Sequence, residues 1–277
     1  MKRFLQSIAT RNLALTLSLG VPLALSAADT GQTFATPEAA VSALMAAANA
    51  LDTNALRVIL GPAAVDLQNP DRVQATNELR EFASAYDQAN RIVRESDSRC
   101  VLEVGHDFWP FAVPLANHDG GWFFDIEAGK DELLNCRIGR NELATLQAVR
   151  AYVEAQREYA SKDRDGDEVL EFAQTIASTP GKKDGLYWPP DLDGEISPLG
   201  PLVADAQAQG YERTPREQGA EPEPFHGYFF KILTHQGKSA PLGKYNYMIN
   251  GKMIGGFALV AWPANYEETG IMTFVVN

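Results

Sequence analysis

Helix-like and strand-like patterns occupy separate blocks of this chain, and that order limits what it can fold into. Thr36, Pro37 and Glu38 open the first block as N-cap, first helical position and acidic first turn. Ala39, Val41, Leu44, Met45 and Ala48 continue it as one apolar face. Thr53 to Leu60 and Leu79 to Tyr86 are further helical pieces. Ile92 to Val104, Phe111 to Leu115 and Trp122 to Ile126 are strand-like, and Asn117-His118-Asp119-Gly120-Gly121 marks a hairpin turn between the last two. Asn141 is placed to cap a longer helix reaching about Ser161, with Leu143, Leu146, Val149, Val153 and Ala160 on one face.

Beyond it, Val169 to Ala177 is expected to be helical. Gly181 to Pro224, rich in Gly, Pro, Asp and Glu, is expected to be irregular, as long functional loops often are. Tyr228 to Leu233, Tyr245 to Ile249, Phe257 to Ala261 and Ile271 to Val276, with an Asn250-Gly251 turn, suggest an antiparallel meander. Segregated helices and antiparallel strands predict an α+β fold rather than an alternating one with a parallel sheet. The expected division is a removable segment at 1–28, an N-terminal α+β domain at 29–138 and a C-terminal α+β domain at 139–277 that carries the irregular 181–224 segment.

The N-terminus reads as a secretory signal peptide. Lys2, Arg3 and Arg11 precede an uncharged run from Leu13 to Leu25, and Ser26, Ala27 and Ala28 make a small-residue cleavage site. The run is shorter than the roughly 20 residues of a spanning helix and contains Pro22, so the mature chain is expected to have no transmembrane segment. The destination is periplasmic or secreted. Formal net charge is −12, which disfavours nucleic acid and anionic lipid as partners. Cys100 and Cys136 are the only cysteines. In an oxidising compartment they either form a disulfide or remain two separate thiols, and spacing does not choose between these.

The chemistry most legible in the chain lies at Asp163-Arg164-Asp165-Gly166-Asp167-Glu168, where three carboxylates fall on alternate residues beside a glycine. Measured against an EF-hand loop, Asp163, Asp165 and Asp167 take the first, third and fifth ligand positions and Leu170 the apolar eighth. Glu168 replaces the glycine of the sixth position, and Gln174 replaces the bidentate glutamate of the twelfth. Glu171, at the ninth, is the substitute ligand. Oxygen-only donors on a loop suit Ca²⁺ over Zn²⁺ or Mg²⁺. The competing reading is a solvated acidic turn at a helix end.

Enzyme motifs are absent: there is no Gly-x-Ser-x-Gly elbow, His-Glu-x-x-His, phosphate loop or dinucleotide fingerprint. His106, His118, His226 and His235 lack metal-ligand spacing and are expected at surfaces and turns. Asp184, Asp191, Asp193 and Glu195 near Tyr187 and Trp188 are the carboxylates that a glycan hydrolase would need, with the aromatics as a sugar platform. An apolar cavity lined by Trp109, Phe111, Trp122 and Phe124 would instead mark a small-ligand carrier.

Arg137-Ile-Gly-Arg-Asn-Glu-Leu143, Ala151 to Ala160, the acidic loop, Lys182 to Pro189, Ser197 to Leu202, His226 to Leu233 and Gly255 to Tyr266 together resemble an exported bacterial family catalogued as domain of unknown function 2950. The likeness covers nearly all of the mature chain and implies an exported habitat, with no activity or catalytic residue to carry over. More loosely, the helix around Val149 to Tyr159, Gly210-Tyr211, Ala261-x-Pro263 and Phe274-Val275-Val276 look like the globular part of type IV pilins and pseudopilins. Such proteins pack a long helix on an antiparallel meander, and some hold calcium beyond it. The prepilin-type stalk is missing, so pilus assembly is not implied. The Thr36-Pro37-Glu38 start and the Asp119-Gly120-Gly121-Trp122 hairpin look like half of an NTF2-like or cystatin-like sheet. The expectation is a non-catalytic envelope protein that binds an envelope protein or glycan, or supports the envelope structurally, with Ca²⁺ as a structural ion.

Overall fold

The computed structural model describes residues 31–190, 194–211 and 223–277, and the fold is α+β. Helix α1 (Pro37–Asn49) starts where the sequence places it, with Thr36 Oγ1 accepting from the Ala39 amide at 3.1 Å. Asp52 caps α2 (Thr53–Leu60) and Asp71 caps α3 (Arg72–Gln88), with a 3₁₀ turn (Pro62–Leu67) between them. These caps satisfy amides that a helix start otherwise leaves open, each contributing about 1 kcal/mol.

Strands β1 (Asn90–Ser96), β2 (Arg99–Val104), β3 (Trp109–Pro110), β4 (Leu115–His118) and β5 (Gly121–Phe124) form one antiparallel sheet of order β1-β2-β4-β5, with β3 against β2. The single strand expected over Ile92 to Val104 is therefore a hairpin, because Asp97 and Ser98 supply turn chemistry in its middle. The Phe111 to Leu115 strand is interrupted too, since Pro110 and Pro114 lack the amide that a ladder needs. The β4–β5 turn is as expected: Asp119 and Gly120 are both left-handed, at φ 51° and 85°, which closes a two-residue hairpin. Under the sheet, Leu44, Leu102, Leu115 and Phe124 pack with α1 as a first core. Each such side chain stabilises by about 1.5–3 kcal/mol.

Helix α4 (Ile126–Tyr159) is 34 residues long and begins well before Asn141. Asp125 is its cap, accepting from the Ala128 amide at 3.1 Å. Gly129 is tolerated inside it because a Cβ there would lie 2.5 Å from the Ala112 carbonyl oxygen, so the helix can approach the β3–β4 connection only at a glycine. One end of α4 belongs to the first core through Ile126, and the other carries Val149, Tyr152 and Tyr159 into a second core. The boundary expected between 138 and 139 thus falls within an unbroken helix.

The second core lies between α4 and a three-stranded antiparallel sheet. Strand β6 (Tyr228–Leu233) is followed by the short ladders β7 (His235–Gln236) with β8 (Tyr245–Asn246) and β9 (Met248–Ile249) with β10 (Lys252–Met253), then by β11 (Ala258–Pro263) and β12 (Phe274–Val276). The sheet order is β12-β11-β6, with Ala261 opposite both Phe230 and Phe274. Tyr228, Leu259 and Trp188 are buried against the helix.

Two further stretches depart from expectation. Val169 to Ala177 is not helical, because its amides are taken by partners far away in sequence: Phe172 donates to the Met253 carbonyl at 2.9 Å and Ala173 to Gln156 Oε1 at 2.9 Å. The segment expected to be irregular contains α5 (Gly200–Ala208), with Pro201 in its first turn. The cysteines are two free thiols. Cys100 is buried on β2, whereas Cys136 is exposed on α4 and donates to Glu132 at 3.4 Å. Trp109, Phe111, Trp122 and Phe124 do not line a common cavity: Trp109 is exposed, Phe124 is buried, and Phe111 fills the gap by packing on Phe82 and Phe124 at 5.0 and 6.3 Å.

Candidate functional site

The acidic loop leaves the C-terminal end of α4 and turns on its own carboxylates. Asp163 Oδ1 accepts from the amides of Asp165 and Gly166 at 3.2 and 2.8 Å, and its Oδ2 from Glu168 at 2.8 Å. These amides, that of Glu168 foremost, hold its pKa below the ordinary aspartate value. Gly166 and Glu168 are both left-handed, at φ 77° and 69°. The sixth position of the loop therefore takes the sharp-turn conformation with glutamate in place of glycine. One carboxylate oxygen from each of Asp163, Asp165 and Asp167 lies within 4.8 Å of the others.

A cation from the protein itself reaches this cluster. Lys252 Nζ, on β10, lies 2.8 Å from Asp165, 2.5 Å from Asp167 and 3.3 Å from Glu171. Hydrogen bonds to Asp165 and Asp167 first, and to Glu171, raise its pKa and keep the ammonium charged. The second Glu171 oxygen is buried and has no hydrogen-bond partner among the described residues.

The residue between the aspartates is the anchor of the loop. Arg164 turns inward, with its side chain 7% exposed, and lies 5.2 Å from the Tyr159 ring and 5.0 Å from the Trp188 ring. Its Nη1 reaches Glu195 at 2.8 Å, which Lys183 and Lys162 also reach at 2.8 and 3.0 Å. The hydrogen bonds from Lys183, Lys162 and Arg164 pull Glu195 down to about 2. A carboxyl in that range has no proton to donate at neutral pH, and three cations quench it as a nucleophile. Trp188 is buried and donates to the Glu195 carbonyl at 3.3 Å, so it presents no sugar platform. Asp184 accepts from the Thr179 amide at 2.7 Å, while Asp191 and Asp193 lie outside the described residues.

A second feature was not legible beforehand. Between α4, α5 and β6 lies a cleft of about 310 Å³ lined by Tyr152, Leu202, Val203, Ala206, Phe225 and Phe230. Tyr211 closes one end, its hydroxyl donating to Asp71 at 2.7 Å. Burial, then Asp71, raises the Tyr211 pKa and keeps the phenol neutral. His226 meets Phe225 edge-on and Tyr211 at a tilt, with ring centroids at 4.4 and 5.4 Å, and burial lowers its pKa. His226 sits in a turn, as expected, and is partly buried there. The signal that could have found the cleft is Pro201 followed by Leu202, Val203 and Ala206, a first-turn proline with a helical apolar face.

A family model described as Protein of unknown function (DUF2950) matches residues 31–277. The chain belongs to the DUF2950 family. No curated protein and no solved structure matches it. In this DUF2950 chain the segments singled out from sequence converge on the second half: Ala151 to Ala160 ends α4, Ser197 to Leu202 starts α5, and His226 to Leu233 and Gly255 to Tyr266 supply β6 and β11. Among the described residues of this DUF2950 protein, no helix is long and apolar enough to cross a membrane.

Proposed function

We propose that this chain is an exported, non-catalytic binding protein of the periplasm or medium that takes a small, largely apolar ligand in the cleft between α4, α5 and β6. The cleft carries the proposal. Its volume is at the lower end of the range for small-ligand sites, and its lining is apolar with Tyr211 at one end, the composition such sites use. The engagement of Glu195 with three cations supports binding over glycan hydrolysis.

Titration of the mature protein with anilinonaphthalene sulfonate, followed by displacement with medium-chain fatty acids, tests the proposal. Saturable binding is expected, and Ala206→Trp, which fills the cleft, should abolish it at unchanged Tm. Absence of saturable binding, or equal binding by the variant, would reject the cleft as a ligand site. N-terminal sequencing of protein recovered from the envelope fraction tests export, with Asp29 expected as the first residue.

A structural calcium ion is a second proposal, favoured by the convergence of Asp163, Asp165 and Asp167 beside a Glu171 oxygen with no partner among the described residues. Lys252 occupies the same charge cluster, so calcium must displace its ammonium. Thermal unfolding in EDTA and in millimolar Ca²⁺ reads this directly. An ion that binds only the folded chain adds about 2.7 kcal/mol at a hundredfold excess over its Kd.

A further inference from the structure

Resting on the reading of the cleft between α4, α5 and β6 as a ligand site, we infer that its ligand is an organic cation: an ammonium group on an apolar body, with the charge held beside Tyr211 and answered by Glu223. The walls are apolar and aromatic, with Tyr152, Tyr211, Phe225 and Phe230 among them. Glu223 is the one charged side chain in the lining among the described residues. It is exposed and has no hydrogen bond or ion pair among the described residues. A carboxylate at the rim of an apolar wall, with no basic side chain in that wall, repels an acid and attracts an amine.

Two further sources of negative potential meet at Tyr211. Its hydroxyl donates to Asp71, which is 3% exposed and takes its other bond from the Gln74 amide at 3.0 Å. Among the described residues no basic side chain pairs with Asp71. Neutral donors leave the charge of that carboxylate uncancelled, and a buried charge is screened less than one in water. The Tyr211 amide donates to the Ala206 carbonyl at 3.0 Å, which places Tyr211 at the C-terminal end of α5. The carbonyls of a helix give that end a negative partial charge, which favours a cation. Glu223 belongs to the same end of the cleft, since it lies two residues before Phe225, whose ring centre is 4.9 Å from that of Tyr211. His226, which could supply positive charge beside Tyr211, is kept neutral by its burial. Aromatic faces add to the attraction, because they draw an ammonium within about 6 Å of the ring. A fatty acid then enters on apolar burial alone, against the carboxylates, and an ammonium on the same chain binds more tightly.

The test is calorimetry of the mature chain at neutral pH with decyltrimethylammonium and with decanoate, both below their micellar concentrations. The cation is expected to bind at least about tenfold more tightly than the acid, with a ratio that shrinks as salt is added. Glu223→Gln should reduce that ratio at least about threefold, and Ala206→Trp should abolish binding of both ions. Equal or tighter binding of decanoate overturns the inference and leaves the cleft a ligand site. A preference for the cation that Glu223→Gln leaves unchanged overturns it too. Cation binding that survives Ala206→Trp is attraction to the acidic surface of the chain, and equally overturns it. Fluorescence of the uncharged probe N-phenyl-1-naphthylamine separates the two readings: uptake of the probe with no binding of either ion overturns the charge of the ligand alone, whereas no uptake of probe or ions rejects the cleft itself.

Discussion

Asn141 Oδ1 accepts a hydrogen bond from Gln74 Nε2 at 2.6 Å, with both side chains buried. The Asn141 amide then donates to the Thr269 carbonyl at 2.8 Å, so one side chain in the middle of α4 ties α3 to the connection before β12. Replacing Asn141 by Ala leaves the Gln74 amide and the Thr269 carbonyl without partners, at about 1–3 kcal/mol for each orphaned group. Urea unfolding of Asn141→Ala should show a loss of at least about 2 kcal/mol. A loss within error would mean that the two groups find other partners.

Gly227 lies against the same pair. A Cβ there would meet Asn141 Nδ2 at 2.5 Å and the Thr269 Cβ at 2.9 Å, and the backbone is left-handed at φ 71°. Gly227→Ala should therefore destabilise by about 1–3 kcal/mol, from overpacking and backbone strain together. Thermal melts of this variant beside Gly251→Ala separate the two effects, since Gly251 is also left-handed, at φ 83°, but has nothing within 4 Å of its Cβ position.

Glu195 gives a pH signature. Its pKa falls from an ordinary 4.5 to about 2 in the folded chain. Between those values the unfolded chain binds the proton that the folded chain refuses, so stability rises with pH across that window and is fully present above it. Glu195→Gln should flatten the dependence of Tm on pH in that window relative to the parent, and lower Tm at neutral pH where the ion pairs are intact.

Removing Lys252 separates the two cations that could neutralise the acidic loop. Lys252→Met is expected to lower Tm in EDTA, because Asp165, Asp167 and Glu171 are left facing one another. Calcium should restore the melt of this variant and bind it more tightly than the parent, from which the ammonium must first be displaced. Equal destabilisation with and without calcium would leave Lys252 as the loop's sole counter-cation.

The two thiols should be distinguishable. Cys136 is exposed and Cys100 is 1% exposed. A chromogenic disulfide reagent is expected to titrate one equivalent in the native chain and two in denaturant. Reactivity at neutral pH should be slow, since burial raises both pKa values and the bond to Glu132 raises that of Cys136 further.

Features whose physics is local were written in the sequence. Thr36 and Pro37 specify the start of α1 because the cap bond spans three residues. Asp119-Gly120 and Asn250-Gly251 specify hairpins because their left-handed backbone is cheap for those residue types. The alternating aspartates specify a sharp acidic turn by bonding their own backbone. The tertiary structure decided what local rules leave degenerate. Asn141 satisfies the rule for a cap, yet its side chain finds better partners 67 and 128 residues away, and α4 runs through it. Ala173 has helical propensity to spare, but distant acceptors take its amide and that of Phe172. Arg164, the one basic residue among the aspartates, fixes the loop through rings and a carboxylate that only folding brings to it. An alternating row of acids leaves a metal ion, a lysine or solvent as its counterpart. Whether Lys252 alone supplies it depends on where β10 lies.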